Sequence, residues 1–143
     1  MVKEQILNLL ELEKLAHDFS KRIEIQDIIL LKGGLGSGKT TLTRLLIRNI
    51  FLLNKIDPPQ IIPSPSFPIL QSYPLKNFMI HHYDFYRIHH INEIVEIGFE
   101  ESLRGNISII EWPEIILPKI SKYKSIIIEL SIIDNYNRKI TFF

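Results

Sequence analysis

Residues 33–40 read Gly33-Gly34-Leu35-Gly36-Ser37-Gly38-Lys39-Thr40, a full G-x-x-x-x-G-K-[ST] spacing. The chemistry such a segment serves is the holding of a nucleoside triphosphate. Glycines let the backbone curl until successive N–H groups converge on the α- and β-phosphates. Lys39 then reaches the β/γ oxygens, and the Thr40 hydroxyl is placed to ligate Mg²⁺. With glycine at about 7% of residues, the specified positions coincide by chance on the order of once in 10⁴–10⁵ windows, so a fortuitous turn accounts for them poorly.

Two carboxylates stand where such a loop needs them. Asp84, in His82-Tyr83-Asp84-Phe85-Tyr86-Arg87, lies where an apolar strand ends, and Glu111 directly follows the apolar run Ile107-Ser108-Ile109-Ile110. Ligands of open α/β sheets collect beyond the carboxyl ends of strands, so both can face the crevice of Thr40 and supply oxygen to metal or water. The competing roles are a helix cap or an Arg87 ion pair for Asp84, and a solvent-facing loop position for Glu111. Trp112 is either a packing residue or a base-stacking platform. Pro63-Ser64-Pro65-Ser66-Phe67 is either a proline-rich connector or a switch segment whose hydroxyls sense a γ-phosphate.

Two other signals carry less. Asn54-Lys55-Ile56-Asp57 spells the guanine-recognition pattern N-K-x-D, yet it follows the first helix after the loop with no D-x-x-G between, and reads as a helix-ending turn. His81, His82, His89 and His90 do not form a zinc site, because adjacent histidines on a strand point to opposite faces.

The elements that must position these residues follow from apolar periodicity. Leu10 to Ile23 reads as an amphipathic helix, Ile28-Ile29-Leu30-Leu31 as a buried strand, and the segment from Thr41 to about Phe51 as a helix stopped before Pro58-Pro59. Phosphate would thus sit at a helix N-terminus. Phe67–Tyr73 and Asn77–Tyr83 flank a Pro74 turn as antiparallel strands, the first peripheral because of Pro68. Ile91–Ile97 is a short helix ended by Gly98, and Phe99–Leu103 a further turn. Ile107–Ile110, Ser125–Leu130 and Arg138–Phe142 complete the strands. The expected fold class is α/β: a P-loop NTPase-like three-layer sandwich around a mixed, parallel plus antiparallel, sheet.

At 143 residues the chain suits one domain, residues 1–143, able to bury roughly 70% of its unfolded surface. A hydrophobic fraction of 45% and a charged fraction of 23% exclude a disordered chain, and a net charge of +1 gives no basic surplus of the kind that grips nucleic acid unaided. Zero cysteines exclude disulfides and thiolate metal sites. The N-terminal apolar stretch is broken by Glu11, Glu13 and Lys14, so it reads as neither signal peptide nor membrane span, and a cytoplasmic protein is expected.

Taken in order, residues 33–41, Ser64-Pro65-Ser66-Phe67, His82–Arg87, Glu96-Ile97-Gly98-Phe99 and Ile110-Glu111-Trp112 resemble the TsaE (YjeE) family, the bacterial ATPase of tRNA threonylcarbamoyladenosine biosynthesis. The H-x-D-x-Y-R element with the later E-W element is the discriminating part. The resemblance implies ATP and Mg²⁺ as cofactors. Lys39, Asp84 and Glu111 would be catalytic. Gly33, Leu35, Gly36, Ser37, Gly38, Lys39, Thr40, Thr41, Ser66 and Trp112 would be at the nucleotide, and Thr40 and Glu111 at the metal. It further implies as partners a threonylcarbamoyl-transferase synthase subunit (TsaD) and its paralogous companion (TsaB-like), with tRNA met through that complex and no membrane involved. The protein itself would not transfer the group.

Two positions depart from the family pattern. Gly34 stands where Asp or Glu is usual, which removes a carboxylate and leaves binding to the backbone N–H groups and Lys39. Ser66 stands where Thr is common and keeps the hydroxyl. The rival readings are a small-molecule P-loop kinase, against which stands the lack of an arginine-rich lid, and a nucleotide-dependent binding module with vestigial hydrolysis.

Overall fold

The computed structural model describes residues 2–143. Its centre is set by Ile28–Lys32 (β2), whose Ile28 to Leu31 are buried on both faces, as the continuous apolar run requires. Lys3–Asn8 (β1), β2, Leu70–Pro74 (β3), Met79–Asp84 (β4), Ile107–Glu111 (β5), Ser125–Ile132 (β6) and Asn137–Phe142 (β7) form one seven-stranded sheet in the order β1-β7-β6-β2-β5-β4-β3. Four of the five inner strands, β6, β2, β5 and β4, are parallel. The pairs β1–β7, β7–β6 and β3–β4 are antiparallel. This is the mixed sheet expected.

Helices close both faces. Leu9–Ser20 (α1) and Lys39–Leu53 (α2) bury Leu12, Ala16, Phe19, Leu42, Leu46 and Ile50 against Ile29, Leu31, Ile80, Ile109, Ile128 and Ile140 of the strands. On the opposite face Ile91–Glu96 (α3), Phe99–Ser102 (α4) and Leu117–Ile120 (α5) place Ile94, Phe99 and Ile120 against Ile28, Leu30, Tyr83 and Ile110. The result is a three-layer α/β sandwich.

Several boundaries differ from the periodicity reading. Helix α1 starts at Leu9 and ends at Ser20, because Asn8 caps it in a reciprocal box: Glu11 N donates to Asn8 Oδ1 at 2.9 Å and Asn8 N to Glu11 Oε1 at 3.2 Å. The strand expected from Phe67 begins only at Leu70, since Ser66, Phe67 and Pro68 are held in a turn in which Ile69 N donates to Pro65 O at 2.6 Å. β3 does lie at the sheet edge, and β4 begins at Met79 rather than Asn77. Helix α2 runs to Leu53, two residues beyond Phe51. Strand β1, the 3₁₀ turn Pro113–Ile115 and α5 have no counterpart in the sequence reading.

Candidate functional site

The phosphate loop emerges from β2 and runs directly into α2. Gly33 has φ 148°, and a Cβ there would lie 2.5 Å from Leu130 O and 2.6 Å from Ser37 Oγ, so only glycine lets the loop pass beneath β6. Gly38, at φ 105°, precedes the helix and supplies no side-chain cap. The first N–H groups of α2 have no intrahelical acceptor, and without a cap they are left to an anion.

Register explains why the two carboxylates meet. Asp84 and Glu111 are paired residues at the carboxyl ends of the parallel neighbours β4 and β5, and Glu111 is in turn paired with Leu31 of β2. Paired positions share a face, and this one is the face of Ile80, Ile109 and Leu31, covered by α2. Both side chains therefore point toward the N-terminus of α2, where Thr40 Oγ1 donates to Glu111 Oε1 at 2.8 Å. Glu111 and Asp84 are buried, at 2% and 5% exposure.

His82 lies on the same face, two residues before Asp84, and its Nε2 bonds the second carboxylate oxygen of Glu111. Asp84 Oδ1 accepts the Tyr86 N–H at 2.9 Å. Burial pushes the Asp84 carboxyl up from its ordinary value. The Tyr86 amide opposes that shift, neighbouring Glu111 adds to it, and His82 and Lys39 weaken it. Lys39 is buried too. Its ammonium donates to Gly33 O and Gly34 O, each at 2.7 Å, and sits 4.1 Å from the centre of the Trp112 ring. Burial draws its pKa down, against the raising influence of Glu111, Asp84 and Glu114.

Lys39, Thr40, Asp84 and Glu111 line a cleft of about 410 Å³, with Leu35, Gly36, Gly38, Thr41, Ser64, Ser66, Tyr86, Arg87 and Trp112 on its walls. Gly33 and Ser37 lie behind it and shape the loop. Ser64 and Ser66 follow the buried Ile62, whose carbonyl accepts Arg44 Nε at 2.6 Å. Trp112, in a left-handed conformation at φ 56°, packs its ring 4.8 Å from that of Tyr86. With Lys39 also against it, the ring is engaged at the phosphate end of the cleft.

A larger cavity of about 500 Å³ lies between α1 and β1, lined by Lys3, Lys14, Asp18 and Arg22 over Phe19 and Phe142. It has no glycine loop, and the first turn of α1 that borders it through Glu11 is already capped by Asn8. Asn54-Lys55-Ile56-Asp57 forms a helix-ending turn, with Asn54 Nδ2 donating to Ile50 O at 2.7 Å. A helix of 15 residues separates it from the loop by about 22 Å. Among the described residues no group of three or more His, Cys, Asp or Glu side chains is placed to hold a metal ion.

Two contacts and one cavity escaped the sequence reading. His82 was quoted in the H-x-D-x-Y-R element and discounted as a zinc ligand, but its pairing with Glu111, set by the strand register, was not read. Arg138 reaches from the β6–β7 hairpin to Gly36 O at 3.3 Å. Beside it a cavity of about 190 Å³ shares Gly38 and Thr41 with the phosphate loop and adds Asn8, Leu9, Asn135 and Tyr136.

Comparison with known proteins converges with this geometry. The family model described as threonylcarbamoyl adenosine biosynthesis protein TsaE matches residues 7–140. A protein of Rickettsia typhi named tRNA threonylcarbamoyladenosine biosynthesis protein TsaE is 42% identical over 128 residues, covering 90% of this chain and 85% of that protein. The protein of the same name from Rickettsia felis is 45% identical over 106 residues, 74% of this chain and 59% of its own length. The crystal structure of YdiB from Bacillus subtilis superposes with a TM-score of 0.67 at 21% identity, over 99% of this chain and 86% of that one, and shows a shared fold. No helix among the described residues is long and apolar enough to cross a membrane.

Proposed function

The chain belongs to the TsaE family, whose members serve tRNA threonylcarbamoyladenosine biosynthesis, and from that premise we propose that it is the Mg²⁺-dependent ATP-binding and ATP-hydrolysing subunit of that modification. The observation that carries the reading is the pairing of the Thr40 hydroxyl with the buried Glu111 carboxylate beside an uncapped helix N-terminus and Lys39. The donors fit the cofactors. Thr40, Glu111 and Asp84 offer the hard oxygens Mg²⁺ prefers, and the glycine cradle, closed to any Cβ at Gly33, fits a polyphosphate. When bound, Mg²⁺ neutralises charge on the phosphate oxygens.

The residues divide the work. Backbone N–H groups of Gly36 to Thr41 hold the phosphates, and Lys39 exchanges its bonds to the Gly33 and Gly34 carbonyls for phosphate oxygen. Glu111 orients the Thr40 hydroxyl. Asp84 accepts the proton of the attacking water, and its raised pKa brings it nearer the operating pH, where a general base is most effective. Ser64 and Ser66 face the same cleft and respond to the γ-phosphate. The base extends toward the cavity of Asn8, Tyr136 and Arg138, which offers an aromatic ring and polar groups.

The family premise supplies the partners: a TsaD-like synthase subunit and its TsaB-like companion, with tRNA engaged through them in the cytoplasm. Phosphate release should be measured with ATP and GTP, with and without that pair. Partner-stimulated ATP hydrolysis is expected. Phosphate passed to a metabolite would establish a kinase instead, and tight ATP binding without turnover in any combination would establish a binding module.

A further inference from the structure

His82 is fully buried, and its Nδ1 has no hydrogen-bond partner. A proton on Nδ1 would find no acceptor, so the ring carries its proton on Nε2 and donates it to Glu111 Oε2. Its neighbours on the same face are apolar on one side, with Ile80 on its own strand and Ile109, its partner on β5, and polar on the other, with Asp84 on its own strand and Gln71, its partner on β3, yet of these groups none bonds its ring. The polar side chain is instead spent on one bond.

From this arrangement we propose that His82 is the positioning residue of the metal site: it ties down one oxygen of Glu111 so that the other faces Thr40 Oγ1. The proposal rests on the nucleotide and Mg²⁺ reading above. Glu111 is 2% exposed and has little water to turn to. With only Thr40 as donor, its carboxylate would rotate toward any other donor, and the Thr40–Glu111 pair would lose its fixed geometry. Partners of this kind that hold the atoms around a metal alter metal affinity about 10–100-fold when removed. Metal-free nucleotide binding, which depends on the loop amides and Lys39, should barely change.

The test compares the affinity of a fluorescent ATP analogue in EDTA with that in excess Mg²⁺, together with the electron paramagnetic resonance spectrum of Mn²⁺ in the ADP complex. In the native protein the metal should tighten binding. His82→Leu should lose about tenfold of that gain, broaden the Mn²⁺ spectrum, and keep its EDTA affinity within about twofold. His82→Gln, whose amide reaches the position of Nε2, should restore both readouts, whereas the shorter His82→Asn should not. If His82→Leu does not fold, the Gln and Asn pair decides. A metal gain kept in full by His82→Leu, or by His82→Asn where that variant must serve, overturns the role of His82. Absence of nucleotide binding by the native protein overturns the function proposed above instead.

Discussion

Strand β4 can be compared with itself across its two faces. Toward α2 it presents Ile80, His82 and Asp84, a sequence that starts apolar and turns polar as it approaches the phosphate loop. The other face carries His81, held at 2.8 Å to Ser72 Oγ on the edge strand, and then Tyr83, with Phe85 following; the Tyr83 and Phe85 rings meet each other at 5.4 Å and the Phe99 ring at 5.2 and 5.8 Å. The first face buries groups that would be better solvated in water, and so spends stability on a site. The second gains stability from apolar area and edge-on aromatic contact, at about 0.5–1.5 kcal/mol per ring pair beyond burial. Alternation of period 2 lets six residues do both.

The difference is sharpest if one residue is removed from each side. Lys39→Ala should lower ATP turnover about 10³-fold through loss of charge at the developing phosphate oxygens. Its thermal midpoint should hardly move, because the lost contacts are hydrogen bonds to loop carbonyls made at the expense of burying a charge. Phe99→Ala should do the reverse. It leaves a cavity among aromatic rings, costs about 3–5 kcal/mol, and lowers the midpoint by roughly 10 °C or more. The folded fraction should bind nucleotide with native affinity. Calorimetry and nucleotide titration on both variants check the pair, and a large loss of stability in Lys39→Ala would break the comparison.

The two faces also differed in how plainly the sequence displayed them. The apolar runs of β2, β5 and β6 and the loop Gly33–Thr40 are local patterns, and local physics sets them. Asp84 and Glu111 could be placed at strand ends for the same reason. That they are register partners, and that His82 therefore meets Glu111, depends on β4 pairing with β5 in one frame, which no residue near either strand encodes. Strand β1 was hidden because its only strongly buried residue is Leu7, while Ile6 is 58% exposed, so its alternation hardly shows; pairing with β7 creates it. The turn and helix at Pro113–Ile120 were hidden by two prolines that serve as helix-starting residues.

Asp84 offers a subtler separation of the faces, through pH. Its folded-state pKa is raised, chiefly by burial, so the native protein holds that proton more tightly than the unfolded chain does. Ionised Asp84 therefore opposes folding at neutral pH. The opposition fades as pH falls through the raised value toward the ordinary carboxylate range, where both states are protonated. Asp84→Asn should accordingly unfold at a higher temperature than the native protein at pH 7. That advantage should shrink on acidification, while turnover is lost at every pH. Thermal scans across pH check the sign, and a gain that grew with acid would show that burial is not the dominant influence.

The smallest effect concerns Gly34, where the resemblance leads one to expect Asp or Glu. A Cβ there would meet no atom within 4 Å, and its φ lies outside the left-handed range, so neither space nor backbone demands glycine. Its contribution to Lys39 is a carbonyl, which any residue supplies. Gly34→Glu should then change stability by no more than about 0.5 kcal/mol and nucleotide affinity by less than about threefold. Should partner-stimulated phosphate release rise with the restored carboxylate, the loop's missing acid limits the rate. An unchanged rate would place the limit on the strand-end carboxylates Asp84 and Glu111, and would draw the catalytic face entirely from the sheet.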